Sequence, residues 1–150
     1  SYAVNIYDDD LTDNIELNDI GYLIALTGSD AVNKFALKNL ATTFGEHGAF
    51  RLASADEVKN KNFGNNNQFF SPKDDYINLS EAVRDFPNIY EIPIHSDKDY
   101  RETLEKLHMQ LESIPLFVKT NDNNIYVLSE FETKKLPTKD TILVYVGQEI

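Results

Sequence analysis

The stretch from Tyr22 to Ala53 constrains this chain most. Tyr22-Leu23-Ile24-Ala25-Leu26 is a continuous apolar run of strand length, followed by the turn Thr27-Gly28-Ser29-Asp30 with good helix-capping side chains. Val32, Phe35, Ala36, Leu40 and Phe44 then recur at helical spacing, and Gly45 is a natural C-cap. A second short apolar run, Ala49 to Ala53, reads as the next strand. Strand, capped helix, strand is the pattern of a parallel β–α–β unit. Apolar runs without alternation further predict strands covered on both faces.

The segments on either side extend this pattern. Ala3 to Tyr7 alternates and is rich in β-branched and aromatic residues, which predicts a strand ended by Asp8-Asp9-Asp10. Leu11, Ile15 and Leu17 fit one side of a short helix with Asp10 as N-cap. Beyond Ala53 the character changes. Lys59 to Asn67 is polar, Asn-rich and almost free of aliphatic residues, so a linker is expected over 59–68. Phe69-Phe70 follows as a brief apolar step, and Tyr76, Leu79, Ala82 and Val83 predict a helix. Ile89 to Ile94 alternates as a strand, with Pro93 arguing for an edge position or a bulge. Asp97 is placed to cap a helix carrying Tyr100, Leu104, Leu107, His108 and Leu111. Three strand-like runs close the chain, at 116–118, 125–128 and 142–146, with hairpin chemistry at Asn121 to Asn124 between the first two. The expected fold is α/β: a partial, N-terminally truncated Rossmann-like parallel sheet over 1–58, the linker, then a small α+β lobe with antiparallel strands over 69–150.

Composition removes several function classes. With 14 Lys plus Arg against 25 Asp plus Glu, the formal charge is −11. That works against nucleic acid, whose phosphates demand clustered cations, and against adsorption to anionic lipid. No apolar run approaches the roughly 18 residues that span a bilayer. The chain has no Cys, hence no disulfide, no thiolate metal site and no Cys nucleophile. It is too apolar for a disordered acidic tail, with 41% hydrophobic residues including 9 Phe.

Catalytic spacings are missing as well. There is no G-x-S-x-G elbow, no H-E-x-x-H and no G-x-x-x-x-G-K-[ST] phosphate loop. His47, His95 and His108 lie far apart, and His108 falls near the apolar face of its predicted helix. Two features remain as candidate sites, the first with three readings and the second with two. Asp8 to Asp13 is either a solvated strand end and helix start or a cation-binding loop, although Asp13 stands where such a loop wants Gly. In a third reading the end of a parallel strand lies near a ligand crevice, where acidic residues such as Asp8 and Asp9 would meet ribose hydroxyls or a cation. Thr27-Gly28-Ser29, with Asn33 one helical turn on, is either an ordinary capped turn or a nucleotide or anion contact at a helix N-terminus.

The same residues carry a family resemblance. Ala25-Leu26-Thr27-Gly28-Ser29-Asp30-Ala31-Val32-Asn33 fits an A-x-T-x-x-D-x-x-N stretch after a buried strand, and so resembles the fourth strand and following helix of TrkA-like (RCK) regulatory domains. With Phe44-Gly45 closing the helix, it looks most like the cytoplasmic tail of bacterial sodium/proton antiporters of the NhaP-like type. Pro115-Leu116-Phe117-Val118, Ile125-Tyr126-Val127 and Leu136-Pro137-Thr138-Lys139-Asp140-Thr141-Ile142-Leu143 are similar to that family's terminal pattern. The resemblance runs from about Asn5 to Val146. It implies a non-catalytic regulatory domain of a monovalent cation/proton antiporter, on the cytoplasmic face of the bacterial inner membrane. Its partners would be its own membrane transport domain and a second copy, with no membrane insertion by this segment. Asp8, Asp9, Thr27, Gly28, Ser29 and Asn33 would line the ligand crevice. The family's opening strand and G-x-G-x-x-G turn have no counterpart here. NAD(H) or an adenine nucleotide is therefore expected in the full-length protein, without tight binding to this segment alone. The alternatives are a stand-alone adenine-nucleotide sensor and a small α/β enzyme.

Overall fold

The computed structural model describes residues 21–44, 48–60, 75–110, 112–121, 124–128 and 141–150. The expected strand at 3–7, the helix at 11–17, the Gly45 cap, residues 61–68 of the expected linker, Phe69-Phe70 and the 136–140 part of the terminal pattern lie outside them. Strand β1 (Leu23–Ala25), helix α1 (Asp30–Phe44) and strand β2 (Ala49–Arg51) form the β–α–β unit, and the two strands pair in parallel with Leu23 opposite Ala49 and Ala25 opposite Arg51. The ladder continues at both ends through Leu23 N–H to the Gly48 carbonyl and Leu52 N–H to the Ala25 carbonyl. Helix α1 exists because Asn33, Ala36 and Leu40 make a buried stripe at i, i+3 and i+7.

Helices α2 (Ala55–Asn60) and α3 (Tyr76–Asp85) follow. Lys59 and Asn60, expected to open the linker, are the last residues of α2. The reason is local: Ser54 and Glu57 form a capping box that starts a helix directly after β2. Ser54 N–H donates to Glu57 Oε2 at 2.9 Å, and Glu57 N–H to Ser54 Oγ at 3.3 Å.

The second region is an antiparallel sheet of four strands: β3 (Ile89–Ile94), β4 (Ser113–Thr120), β5 (Ile125–Val127) and β6 (Thr141–Gly147), in the order β3-β6-β4-β5. Pro93 sits on the edge strand β3, as its missing N–H requires. Helix α4 (Asp97–Met109) is capped by Ser96, whose Oγ accepts from Asp99 N–H, and not by Asp97 as expected. Ser96 has the extended backbone of a cap, whereas Asp97 is already helical and faces the positive end of the dipole. His108 is exposed rather than set in the apolar face of α4, which is made by Tyr100, Thr103 and Leu107.

Both faces of the antiparallel sheet are covered. Leu143 and Tyr145 of β6 pack with Ile94, Val118, Tyr100 and Leu107, which puts α4 on that face. Val146, on the other face, joins Ile114, Val127, Phe50, Leu52 and Ala82. A bulge between Pro115 and Phe117 shifts the phase of β4, so Ile114 and Val118 serve opposite faces although both are even-numbered. The second cluster joins the two sheets, since Phe50 and Leu52 belong to the parallel region and Ala82 to α3.

The expectation that Tyr22–Leu26 is covered on both faces is not met. Tyr22, Ile24 and Leu26 keep 44%, 40% and 39% of their surface exposed. Their face is the one that Phe50 buries against the antiparallel sheet, but β1 lies one strand further out than β2. At one end of this face Tyr22 packs on Phe50 at 6.2 Å, and its hydroxyl donates across to the Ile125 carbonyl.

Candidate functional site

A cleft of about 290 Å³ opens at the carboxyl ends of the parallel strands, where α/β sheets place ligands. Three chain segments wall it. Thr27, Gly28, Asp30 and Asn33 come from the β1–α1 turn, Leu52 to Asp56 lead from β2 into α2, and Asp75 to Ile77 start α3. The last two run side by side through a parallel bridge between Ala53 and Asp75. The N-termini of three helices therefore meet at one opening.

The first wall is built by a clasp between Thr27 and Asn33. Asn33 is 3% exposed, and its amide is spent on the turn. Oδ1 accepts from Thr27 N–H at 3.0 Å and from Thr27 Oγ1 at 2.7 Å, while Nδ2 donates to the Thr27 carbonyl at 2.9 Å. Ser29 N–H donates to Thr27 Oγ1, Asn33 N–H to the Ser29 carbonyl and Val32 N–H to Ser29 Oγ. Ser29 thus acts as the α1 cap. Of the residues expected to line a crevice, Thr27, Gly28 and Asn33 do so, and Ser29 sits beside them. Asn33 shapes the wall with an amide already committed to Thr27. Asp8 and Asp9 lie outside the described residues.

Gly28 has a steric role. A Cβ there would stand 3.2 Å from the Tyr76 ring, so the glycine lets Tyr76 close over the turn. Asp75 caps α3, its Oδ1 accepting from Ile77 and Asn78 N–H, both at 2.9 Å.

The second wall rests on Arg51, which sequence reasoning missed. Its side chain is 9% exposed and meets Glu57 in a two-pronged pair, Nη1 to Oε2 at 2.8 Å and Nη2 to Oε1 at 2.6 Å. This hydrogen-bonded pairing lowers the Glu57 carboxyl to about 2, and it raises the Arg51 guanidinium further above its ordinary range. Two signals were present in the sequence: a charge inside the apolar run Ala49 to Ala53, which must find a partner, and the S-x-x-E spacing of Ser54 and Glu57.

The charged groups of the lining are carboxylates, Asp30, Asp56 and Asp75. Each helix N-terminus already has an acceptor from its own chain. The cleft therefore offers acceptors more than free donors, with an aromatic and aliphatic side from Tyr76, Ile77 and Leu52. It suits ligand hydroxyl or amino groups better than phosphate oxygens. Among the described residues, no group of three His, Asp or Glu side chains is arranged to hold a metal ion, and neither His95 nor His108 lines the cleft. No helix among them is long and apolar enough to cross a membrane. Compared with protein-family models, curated proteins and solved structures, the chain matches none.

Proposed function

We propose that this chain is a non-catalytic, ligand-responsive regulatory module of the TrkA-like (RCK) kind, built on a Rossmann-like β–α–β unit. In this reading it belongs to the cytoplasmic tail of a monovalent cation/proton antiporter and biases transport through ligand binding or dimerisation. The supporting observation is the Thr27–Asn33 clasp. Thr27, Asp30 and Asn33 of the A-x-T-x-x-D-x-x-N stretch are the residues that shape and line the mouth of the cleft, at the carboxyl end of a parallel strand. A turn stabilised in this way, next to exposed apolar residues, gives a site whose occupancy can be passed to a neighbour.

Three tests bear on it. Isothermal calorimetry and thermal shift with adenosine, AMP, ATP and NADH, whose ribose hydroxyls and adenine amino group fit the carboxylate lining, should detect weak binding that Asp30→Asn lowers further; neither heat nor shift with any of them rejects the ligand-responsive part. The reading frame upstream of this segment should encode membrane helices and then a Gly-rich strand turn, and a frame without either rejects the antiporter assignment. Light scattering should show a dimer, because the outer edge of β1 is unpaired among the described residues. A stand-alone nucleotide sensor is the second reading, favoured by the Tyr76 ring lying over Gly28 as an aromatic surface within this chain. Binding as tight in the isolated chain as in the whole protein would select it.

A further inference from the structure

A buried cation with two carboxylate neighbours stands between the walls of the cleft. Arg51 is held by Glu57 of α2, and its Nη1 also donates to the Leu52 carbonyl at 3.0 Å. On its other side lies Asp30, the first residue of α1, with Oδ1 3.8 Å from Nη1. That is too long for a hydrogen bond, yet Asp30 Oδ1 is buried and has no hydrogen-bond partner at all. The other oxygen of the same carboxylate is engaged at the surface, with Lys34 Nζ at 2.7 Å.

We propose that Arg51 is a two-acceptor latch between the cleft walls. It is closed on Glu57 in the state seen, and it shifts to Asp30 when the α2 wall moves away. A guanidinium does not deprotonate in a protein and is costly to bury unpaired, so Arg51 must follow one carboxylate or the other. The shift is about 1 Å, the difference between 3.8 Å and an ordinary N–H···O distance of about 2.9 Å. It would satisfy the buried Asp30 Oδ1, which lacks a hydrogen-bond partner. Glu57 belongs to the wall made by α2 and Asp30 to the wall made by α1, so the latch position reports which wall the buried charge holds. Only this consequence for ligand response rests on the reading of the cleft given above.

A double-mutant cycle tests the latch without any ligand. If Arg51 has two acceptors, Glu57→Gln lowers the melting temperature only moderately, because Asp30 takes over. Asp30→Asn alone shifts it by less than about 2 °C, and the double variant falls below the sum of the singles by at least about 4 °C. Amide hydrogen exchange gives a second readout. In Glu57→Gln, residues 31–33 of α1 should exchange more slowly as Arg51 draws onto Asp30. Additive melting shifts, or unchanged exchange in α1, would overturn the latch. Should the double variant fail to fold, the carboxylate substitutions are repeated singly in Arg51→Met. There both should be close to neutral, and losses as large as in the parent chain overturn the proposal. Calorimetry without nucleotide binding would remove the cleft reading and leave the cycle standing; an additive cycle would do the reverse.

Discussion

Tyr22–Leu26 and Ile142–Val146 are apolar runs of the same length, and as sequence they are hard to tell apart. Their surroundings differ. The second forms most of β6, the inner strand between β3 and β4, with α4 on one face and the shared core on the other; Leu143 is fully buried and Val144, Tyr145 and Val146 nearly so. The first forms β1, whose one partner among the described residues is β2, and which reaches past the core that buries Phe50. An apolar run therefore specifies a strand, but the number of its neighbours specifies its burial. The two regions are also held differently. Apolar packing dominates around β6, whereas the β1–α1–β2 unit adds two polar ties, Thr27 with Asn33 and Arg51 with Glu57, to its buried Ala25, Ala36, Leu40 and Phe50. Directional ties of this kind hold the cleft in one shape.

The largest effect should come from truncating the better-covered run. Leu143→Ala removes a side chain packed on all sides and is expected to cost about 2–5 kcal/mol in urea denaturation. Ile24→Ala, on the half-exposed face of β1, should cost less than about 1 kcal/mol. Equal losses at the two positions would break the comparison.

Next comes the clasp. Asn33→Ala leaves the N–H, carbonyl and hydroxyl of Thr27 without their partner, an expected loss of about 2 kcal/mol. Exchange of amides in 28–33 should accelerate while that of β4 and β6 keeps pace with the control. Faster exchange in β6 as well would mean that the two regions open as one unit, and that the polar ties serve the whole fold.

The elements were readable where local chemistry and tertiary context agree. Alternation in 89–94, the apolar run 142–146 and the stripe of α1 each specify their element, and the structure has all of them; the strands on either side of the Asn-rich stretch after β4 pair antiparallel. Pro93 argues for an edge position or a bulge, and among the described residues its strand is an outer one. What was not readable depends on distance in space. The phase switch at Pro115 needs the partner strand to reveal it, and the exposure of Ile24 needs the outline of the opposing sheet. The cleft divides in the same way. Its first wall was legible because Thr27 and Asn33 are close in sequence. The walls from 52–56 and 75–77 were not, because Asp75 and Tyr76 meet Gly28 only through the fold. Arg51 was hidden among apolar neighbours, although the capping box beside it was visible.

Acid sharpens the contrast between regions. Glu57 is held at about 2 in the folded chain against an ordinary 4.5, so its contribution is complete above about pH 4.5 and is lost as pH falls toward 2. Allowing for solvent screening of a partly exposed pair, that contribution is about 1–2 kcal/mol. Melting followed from pH 6 to pH 2.5 should fall more steeply for the parent chain than for Glu57→Gln. Parallel curves would show that Arg51 and Glu57 do not tie β2 to α2 in solution.

The smallest effect should be a gain. Tyr100 lies in the core between α4 and the antiparallel sheet, with a buried hydroxyl that has no hydrogen-bond partner, and this burial raises its pKa so that it stays neutral. Nothing in that core needs the hydroxyl, and burying it carries a desolvation cost. Tyr100→Phe keeps the ring and removes the oxygen, so stability should rise by up to about 1 kcal/mol, or roughly 2–4 °C in melting temperature. The sign is what matters here. A polar atom is dispensable where it has no partner, and Asn33 is indispensable where three bonds rest on it. A lower melting temperature for Tyr100→Phe would mean that the antiparallel region also relies on a polar tie, and the division between the two regions would fail at its most apolar point.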